Sequence, residues 1–594
     1  MSGFAVIYDL DGGPVDPVLC ERMITAIAHR GPDGVGHHTD GPISLGFALL
    51  ATTPDSLDLR QPLCDDVSGL CTVFNGRVDN RDEIKAALGA SLRTGADAEL
   101  ALRAFERWGE DSPRRLIGDF AYVIWDPRHR TLFCARDHLG IRPFFYYTDG
   151  RTFLCASELH QLFEHPSVPK RPNEGMIAEH LSTEVTSLDE TLYEGILRLP
   201  PAHFLIVSPR ALRKQRYRNF DPSRQIRHKT DQEYAEHFRD TFQEAVRCCL
   251  YSQHPVAAEL SGGIDSSCVV GMCQHLFRQG VVSGSGFEVF SLVFPGLPAD
   301  ESYWFRQVVG FWNLKSNEVP APSDPAWFPD CAKRYLDLPD YGNGRMSDFC
   351  STLAREKGFR VILTGLGGDD SCGHPAFQES RFRRALGRLR AQPSLEGVRS
   401  LWRDALRVLQ RARTSRAPIA PWIPDAFARS THLAERIRKK KGKHEIPFSG
   451  LRTFCMEMED RAAARCGIEA RHPFHDRRLI ELTLALPPDQ FLRLGQNKFI
   501  LRQAMKGLLP EPVLQRSTKA EFSHTSAQLY ECDALSSVFH SARIARNGWI
   551  DQHCVAEMFR ESMERWKHSQ NDLPHVWPLD SVLGIELWFR AAFR

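Results

Sequence analysis

Several features of membrane, secreted and nucleic-acid-binding proteins are missing from this chain of 594 residues. No apolar run approaches the roughly 18 residues of a membrane-spanning helix, and the N-terminus lacks a basic stretch followed by an apolar core. The net charge is only +1, which argues against bulk binding to nucleic acids or membranes. We therefore expect a cytoplasmic protein without a membrane span and without a nucleic-acid partner.

Paired metal-binding cysteines are also missing. The chain has 16 cysteines but no Cys-x-x-Cys pair, so zinc-ribbon and thioredoxin-type sites have no support. Many of the thiols lie beside apolar residues, as Cys134, Cys155 and Cys268 do. This scatter is typical of packed thiols in a reducing compartment. The length exceeds what one hydrophobic core accommodates, so we expect more than one domain.

A glycine-rich segment, Leu260-Ser-Gly-Gly-Ile-Asp-Ser266, lies between two short apolar runs. This order predicts a strand, a tight loop and a helix, whose first N–H groups form an anion site. The segment is not a P-loop, because no Gly-Lys-Ser/Thr follows, and an ordinary Gly-Ser turn is the alternative. Its form resembles the pyrophosphate loop of ATP pyrophosphatases, enzymes that split ATP between the α and β phosphates.

The pattern of apolar residues changes along the chain. Residues 1–210 contain short alternating segments, such as Phe120–Trp125, which predict a strand-rich domain. Residues 211–230 are interpreted as a linker. Helical periodicity dominates residues 231–594, interrupted by isolated strands such as Val289–Phe294, which predicts a doubly wound parallel sheet. The arginine-rich segment 381–416 is either a solvated basic surface or a docking face for an acidic partner.

Ordered motifs in both halves resemble those of class B asparagine synthetases. They are His29-Arg-Gly-Pro-Asp-Gly34, Asn75-Gly76, Arg136-Asp-His-Leu-Gly-Ile-Arg-Pro143, Ala156-Ser-Glu158, the segment 260–266, Gly467-Ile-Glu-Ala-Arg-His-Pro-Phe474 and Lys498-Phe-Ile-Leu-Arg502. The resemblance covers nearly the whole chain. It implies an N-terminal Ntn-hydrolase-like αββα sandwich, the glutaminase domain, joined to a C-terminal doubly wound ATP-pyrophosphatase domain.

The glutaminase half departs from the family pattern. Ser2 stands where the family has its nucleophilic cysteine, although a serine also serves as an N-terminal nucleophile in principle. No arginine occurs from Leu45 to Leu59, where the family's clamp for the glutamine carboxylate is expected. The family's Asn-Gly-Glu is Asn-Gly-Arg here and ends at Arg77, although Asp97 is retained. These departures indicate a degenerate glutaminase that serves as a scaffold.

The synthetase half departs as well. Leu366 replaces a glutamate of the family and can neither accept a proton nor contact ammonia. β-Lactam synthetases have a tyrosine at this position, paired with a glutamate on a later helix that corresponds here to Glu457. A degenerate glutaminase, an intact ATP loop and this altered site together resemble lasso peptide cyclases.

The resemblance also implies roles for individual residues. The residues expected to bind ATP are Leu260, Ser261, Gly262, Gly263, Asp265, Ser266, Val293 and Gly365; the Mg²⁺ ligands are Asp265 and Asp369; the catalytic residues are Lys498, Lys519 and Glu457. Carboxylates are ligands that Mg²⁺ prefers. Alternatives stay open: Asp369 as a helix cap, either lysine as a surface charge, and Glu457 in a helix-surface salt bridge. His472 and His475 are weaker candidates for proton transfer.

The expected function is therefore ATP-dependent macrolactam formation without glutaminase activity. Such a ligase adenylates an Asp or Glu side chain of a leaderless core peptide, whose N-terminal amine then attacks, and it releases AMP and pyrophosphate. The implied cofactors are ATP and Mg²⁺, and the implied partners are the precursor peptide and a leader peptidase. The alternatives are a β-lactam synthetase-like ligase, an asparagine synthetase that uses free ammonia, and a non-catalytic binding protein.

Overall fold

A computed structural model describes residues 1–89, 92–221, 223–321, 324–339, 345–373, 419–438, 449–493, 496–569 and 573–593. The arginine-rich segment 381–416 and the basic stretch 439–443 lie outside the described residues. Within them, no helix has both the length and the apolar character required to cross a membrane.

The strands fall into two antiparallel sheets, one parallel sheet and a short hairpin. They are β1 Gly3–Asp9, β2 Gly34–Asp40, β3 Ile43–Leu49, β4 Leu63–Cys64, β5 Cys71–Val78, β6 Gly118–Asp126, β7 Thr131–Arg136, β8 Phe145–Thr148, β9 Thr152–Ala156, β10 Leu197–Arg198, β11 His203–Ser208, β12 Ala211–Arg216, β13 Val256–Glu259, β14 Glu288–Val293, β15 Ser316–Pro320, β16 Val361–Leu363, β17 Glu469–Arg471, β18 Leu492–Arg493 and β19 Gln496–Asn497.

The helices of the described residues vary in length, and every helix longer than 12 residues follows residue 230. They are α1 Pro17–Thr25, α2 Arg81–Leu88, α3 Asp97–Trp108, α4 Ser112–Arg115, α5 Glu174–Leu181, α6 Asp231–Cys249, α7 Ile264–Arg278, α8 Ser302–Trp312, α9 Trp327–Tyr335, α10 Met346–Glu356, α11 Gly368–Cys372, α12 Asp425–Ser430, α13 Leu433–Arg436, α14 Gly450–Arg465, α15 Arg477–Ala485, α16 Phe499–Ala504, α17 Glu511–Gln515, α18 Ser523–Tyr530, α19 Asp533–Ser536, α20 Arg543–Arg546, α21 Gln552–His568 and α22 Val576–Ala592.

The N-terminal half is a sandwich of two six-stranded antiparallel sheets, in the orders β10-β8-β9-β1-β3-β2 and β12-β11-β7-β6-β5-β4. Alternate residues of each strand, such as Phe4, Val6, Val123 and Trp125, fill the core between the sheets. Helix α1 packs on the outer face of the first sheet and α3 on that of the second. The predicted αββα sandwich is confirmed.

The predicted linker begins too early. Strand β12, Ala211–Arg216, pairs antiparallel with β11 and closes the edge of the second sheet, so the prediction of a linker from residue 211 is wrong for this stretch. The strand is polar and exposed along its whole length. Edge strands tolerate that composition, which explains why it reads as a linker in the sequence.

The C-terminal half contains a five-stranded parallel sheet in the order β15-β14-β13-β16-β17, which confirms the predicted parallel architecture. Helix α7 packs on one face and helices α10 and α14 on the other. The strand order reverses between β13 and β16. In such sheets ligands bind beyond the carboxyl ends of the strands at this switch point.

One cysteine pair departs from the expectation of reduced thiols. Cys64 and Cys71 face each other across β4 and β5 and form a disulfide, so the expectation is wrong for this pair. The other cysteines are free, and most are buried.

Candidate active site

The glycine-rich segment 260–266, here called the phosphate loop, leads from β13 into α7 at the switch point. Gly262 has φ +80°, and a Cβ there would lie 2.6 Å from the backbone nitrogen of Phe305 in α8, so only glycine fits. The Ser261 and Ser266 hydroxyls lie 2.9 Å apart, and the Gly263 N–H donates to Ser261 Oγ at 3.2 Å. Helix α7 has no side-chain cap, so the N–H groups of its first turn are available to an anion.

Gly365 brings the second loop of the site against the first. It follows β16, and a Cβ there would lie 2.5 Å from the backbone nitrogen of Ser266. Gly367, with φ +92°, then turns the chain into α11, which carries Asp369 in its first turn. The carboxyl ends of β13 and β16 therefore present Asp265 and Asp369 side by side.

Two lysines pair with these carboxylates, and one of them, Lys498, bridges both. Lys498 Nζ lies 2.6 Å from Asp265 Oδ2 and 2.6 Å from Asp369 Oδ1, and Lys519 Nζ lies 2.8 Å from Asp369 Oδ2. The structure thus brings together four of the five charged residues that the sequence assigns to this site, although these four span more than 250 positions of the chain. Lys498 is buried, whereas Lys519 is exposed.

The ion pairs shift the acidities of this cluster. Burial raises the pKa of Asp369, but Lys498 and Lys519 outweigh it and hold the pKa at about 2. Burial raises the pKa of Asp265 above its usual value, because Lys498 offsets only part of the desolvation. Burial lowers the pKa of Lys498, but the two carboxylates dominate and raise it. Lys498 therefore stays cationic, as a group that contacts phosphates must.

Three adjoining cavities surround the loop. The loop cavity, about 300 Å³, is lined by residues that include Gly263, Asp265, Gly365, Leu366, Glu459 and Lys519. The lysine cavity, about 150 Å³, is lined by residues that include Asp265, Asp369, Lys498, Arg502, Arg516 and Lys519. The apolar cavity, about 110 Å³, is lined by residues that include Leu260, Phe290, Leu292, Phe294, Met346 and Phe522. Together they offer a polar end and an apolar end, as a nucleotide requires.

Leu260 and Val293 differ in their access to these cavities. Leu260 lines the apolar cavity, and its backbone groups pair with Phe290 and Ser291. Val293 ends β14, but its side chain packs against the core that includes Phe305 and is not among those lining the three cavities.

Glu457 does not line any of these three cavities. Its side chain is 4% exposed and contacts Arg198 Nε at 2.7 Å and Arg136 Nη2 at 3.3 Å, both in the N-terminal domain. The structure therefore does not place Glu457 in the cavity that the resemblance implied. Glu459, two residues further along α14, lines the loop cavity instead. Residues two apart point about 200° apart on a helix, so the two carboxylates serve opposite surfaces.

The two histidines are held in the interior. Burial lowers the pKa of His472 to about 3 and lowers that of His475 well below its usual value. His472 Nδ1 lies 2.8 Å from Thr364 Oγ1, which fixes the ring behind the second loop. Neither residue lines the three cavities, and both are neutral at neutral pH.

The cavity beside Ser2 in the N-terminal domain is small. Ser2 lines a cavity of about 40 Å³, and its Oγ accepts from Leu50 N at 3.0 Å. Asp97, retained from the family pattern, accepts from Val78 N at 2.8 Å and pairs with Arg81 at 2.6 Å. Both side chains are thus engaged within the domain.

Three further residues of the site were not predicted. Arg516 donates to the Gly262 carbonyl at 3.0 Å and pairs with Glu301 at 2.5 Å, so it braces the loop from the side of α8. Glu301 and Glu259 both line the loop cavity and the apolar cavity. The signal for Glu259 was its position, a charged residue at the end of an apolar strand just before the loop.

The acidic pair fits a magnesium ion by the chemistry of its donors. Asp265 and Asp369 present carboxylate oxygens that converge on a single cationic atom, Lys498 Nζ, and hard cations take such oxygens. Bound there, Mg²⁺ would neutralise charge on a pyrophosphate leaving group.

The fold and the site define a class, the ATP-dependent amidotransferases: an Ntn-type sandwich is joined to a parallel sheet with a phosphate loop at its switch point. A family model described as asparagine synthase matches residues 237–590, and one described as glutamine amidotransferase domain matches residues 1–218. The chain belongs to the asparagine synthase family.

Curated relatives differ in their names. Glutamine-hydrolyzing asparagine synthetase 3 of Bacillus subtilis is 25% identical and aligns over 84% of this chain and 82% of its own length. Amidase chry2 of Gibberella zeae is 26% identical, over 88% of each chain. A solved glutamine PRPP amidotransferase of B. subtilis is similar over 61% of this chain and 81% of its own, at 14% identity and a TM-score of 0.28, too remote to bear on function.

Proposed function

We propose that this protein is an AMP-forming carbon–nitrogen ligase that does not use glutamine and that closes a macrolactam in a leaderless core peptide. The observation that carries the proposal is the loop cavity, where residues of the phosphate loop, among them Ser261 and Asp265, meet Leu366 in place of a carboxylate. Leu366 is 37% exposed and offers a bulky apolar surface. Such a surface favours an organic acceptor over ammonia.

The activation step uses the charged cluster. A substrate carboxylate oxygen attacks the α-phosphorus of ATP, the bond to the β-phosphate oxygen breaks, and pyrophosphate leaves. The loop N–H groups and Lys498 hold the phosphates, while Lys519, on an exposed segment, reaches charge that develops on the acyl-adenylate. Asp265 and Asp369 would hold the Mg²⁺.

The second step joins the amine to the acyl carbon and releases AMP. The attacking amine must be neutral, and an α-amino group with a pKa near 8 is partly so at neutral pH. Glu459 lines the same cavity as Leu366 and Lys519, so we assign it the proton that the amine loses. We do not assign this role to Glu457, because it is buried between two arginines.

The nitrogen donor is the peptide's own amine in this proposal. Support comes from the N-terminal domain, where the Ser2 hydroxyl is hydrogen-bonded to the Leu50 backbone. The Arg77 guanidinium forms ion pairs with carboxylates of the protein, those of Asp79, Asp119 and Glu469. The Met1 side chain is packed at 1% exposure and its amino group donates to Ile468 O at 3.2 Å. The domain then acts as a wall that holds the peptide pre-folded, and a leader peptidase supplies the free amine.

The test measures AMP release with synthetic peptides that have a free N-terminus and one internal Asp or Glu. We expect AMP and a product lighter by one water, and neither with the N-acetylated peptide or with Asn or Gln replacing the acid. Heavy oxygen in the carboxylate should appear in AMP. If ammonia with free aspartate, or a small β-amino acid, supports AMP release and the peptides do not, the macrolactam proposal fails.

A further inference from the structure

Glu259 is an unusual residue for its position. It ends the central strand β13, just before the phosphate loop, and its side chain lines both the loop cavity and the apolar cavity. Among the described residues its carboxylate has no hydrogen-bond or ion-pair partner, and burial raises its pKa to about 7. The residue is half-buried, and a carboxylate held partly out of water without a partner costs stability unless a ligand supplies donors.

Glu301 provides a contrast within the same cavities. It also lines both of them, but Arg516 holds its carboxylate at 2.5 Å. Glu301 therefore has its partner within the protein, whereas Glu259 is open to a ligand.

The inference rests on the proposed use of ATP. Phosphates bind at the start of α7, and a purine fits the apolar cavity among Phe290, Leu292 and Phe294. The ribose must then lie between the two cavities, at the place where Glu259 lines both of them. Ribose hydroxyls are donors, an ionised carboxylate is an acceptor only, and acidic residues bind ribose in this way in other doubly wound folds.

We propose that Glu259 accepts hydrogen bonds from the ribose hydroxyls of the bound nucleotide and so selects ribonucleotides over deoxyribonucleotides. It is a specificity-determining residue, separate from the groups that bind phosphate. Hydrogen bonds to a charged acceptor are strong enough for roughly tenfold discrimination.

The experiment measures the dissociation constants of ATP, 2′-deoxyATP and 3′-deoxyATP by calorimetry with Mg²⁺ on the full chain. We expect the unaltered protein to prefer ATP by about tenfold. The isosteric variant Glu259→Gln should lose most of this preference, and Glu259→Leu should bind all three nucleotides about equally. The exposed Glu318→Gln, on edge strand β15, is the matched control and should keep the preference.

Each outcome decides the matter. Equal affinities in the unaltered protein, or an unchanged preference in Glu259→Gln, overturn the inference while leaving the proposed ligase intact. A variant that changes selectivity between ATP and ITP but not between ribose and deoxyribose also overturns it, because Glu259 would then read the base. Absence of any nucleotide binding by the unaltered protein overturns the proposed function itself.

Discussion

Variants of Glu457 and Glu459 test which carboxylate of α14 stabilises the fold and which takes part in the chemistry. In Glu457→Gln the side chain keeps its size but loses its charge, which leaves Arg136 and Arg198 without a compensating carboxylate at the domain interface. Removing one partner of a buried ion pair typically costs about 3–5 kcal/mol. Arg136 also donates to the backbone carbonyls of Arg142, Leu199 and Gly140, and these bonds persist, so we expect the free energy of unfolding to fall by about 3 kcal/mol.

The assay compares urea unfolding midpoints, followed by tryptophan fluorescence, with AMP release measured well below those midpoints. Glu457→Gln should unfold at lower urea yet retain most of its turnover while folded. Glu459→Gln is the matched variant on the same helix, and its side chain lies at the edge of the loop cavity. Its free energy of unfolding should change by no more than about 1 kcal/mol. Its rate of amide formation should fall roughly a hundredfold or more, as removal of a general base does.

The opposite pattern would refute the assignment of a stabilising role to Glu457 and a chemical role to Glu459. If Glu457→Gln were as stable as the unaltered protein but inactive, the Glu457 carboxylate would act in the chemistry. Its ion pairs with Arg136 and Arg198 would then not be its main contribution. If both variants lost stability equally, the helix would contribute only to packing.

Four further outcomes are expected. Asp265→Ala should abolish conversion of ATP to AMP without unfolding the protein, and retained AMP release by chromatography would contradict the metal assignment. Ser2→Ala should leave peptide-dependent AMP release unchanged, since the serine only contacts the Leu50 backbone. Gly365→Ala should weaken ATP binding by calorimetry, because its Cβ would lie 2.5 Å from a loop nitrogen. Glu259→Gln should gain stability over the unaltered protein in urea unfolding at pH 8 but not at pH 4.5: the folded pKa of about 7 exceeds the usual 4.5, so ionisation penalises folding progressively between these values.

Much of the architecture could be predicted from the sequence because it depends on local patterns. Alternating apolar segments indicated the sandwich, and strand–loop–helix order around residues 260–266 indicated the parallel sheet. The exposed edge strand Ala211–Arg216 was missed for the converse reason: it has no apolar alternation, and its place in the sheet depends on pairing with β11.

The sequence by itself predicted which charged groups would serve the phosphates, since Asp265, Asp369, Lys498 and Lys519 each lie in a motif with its own spacing. Their convergence follows from the parallel sheet, which carries the ends of β13 and β16 to one edge. The tertiary structure alone decided which carboxylate of α14 faces the cavity. That helix is buried over most of its length, so periodicity could not orient it. In the folded protein, arginines of the N-terminal domain pair with Glu457 and Asp460, while Glu459 lines the loop cavity.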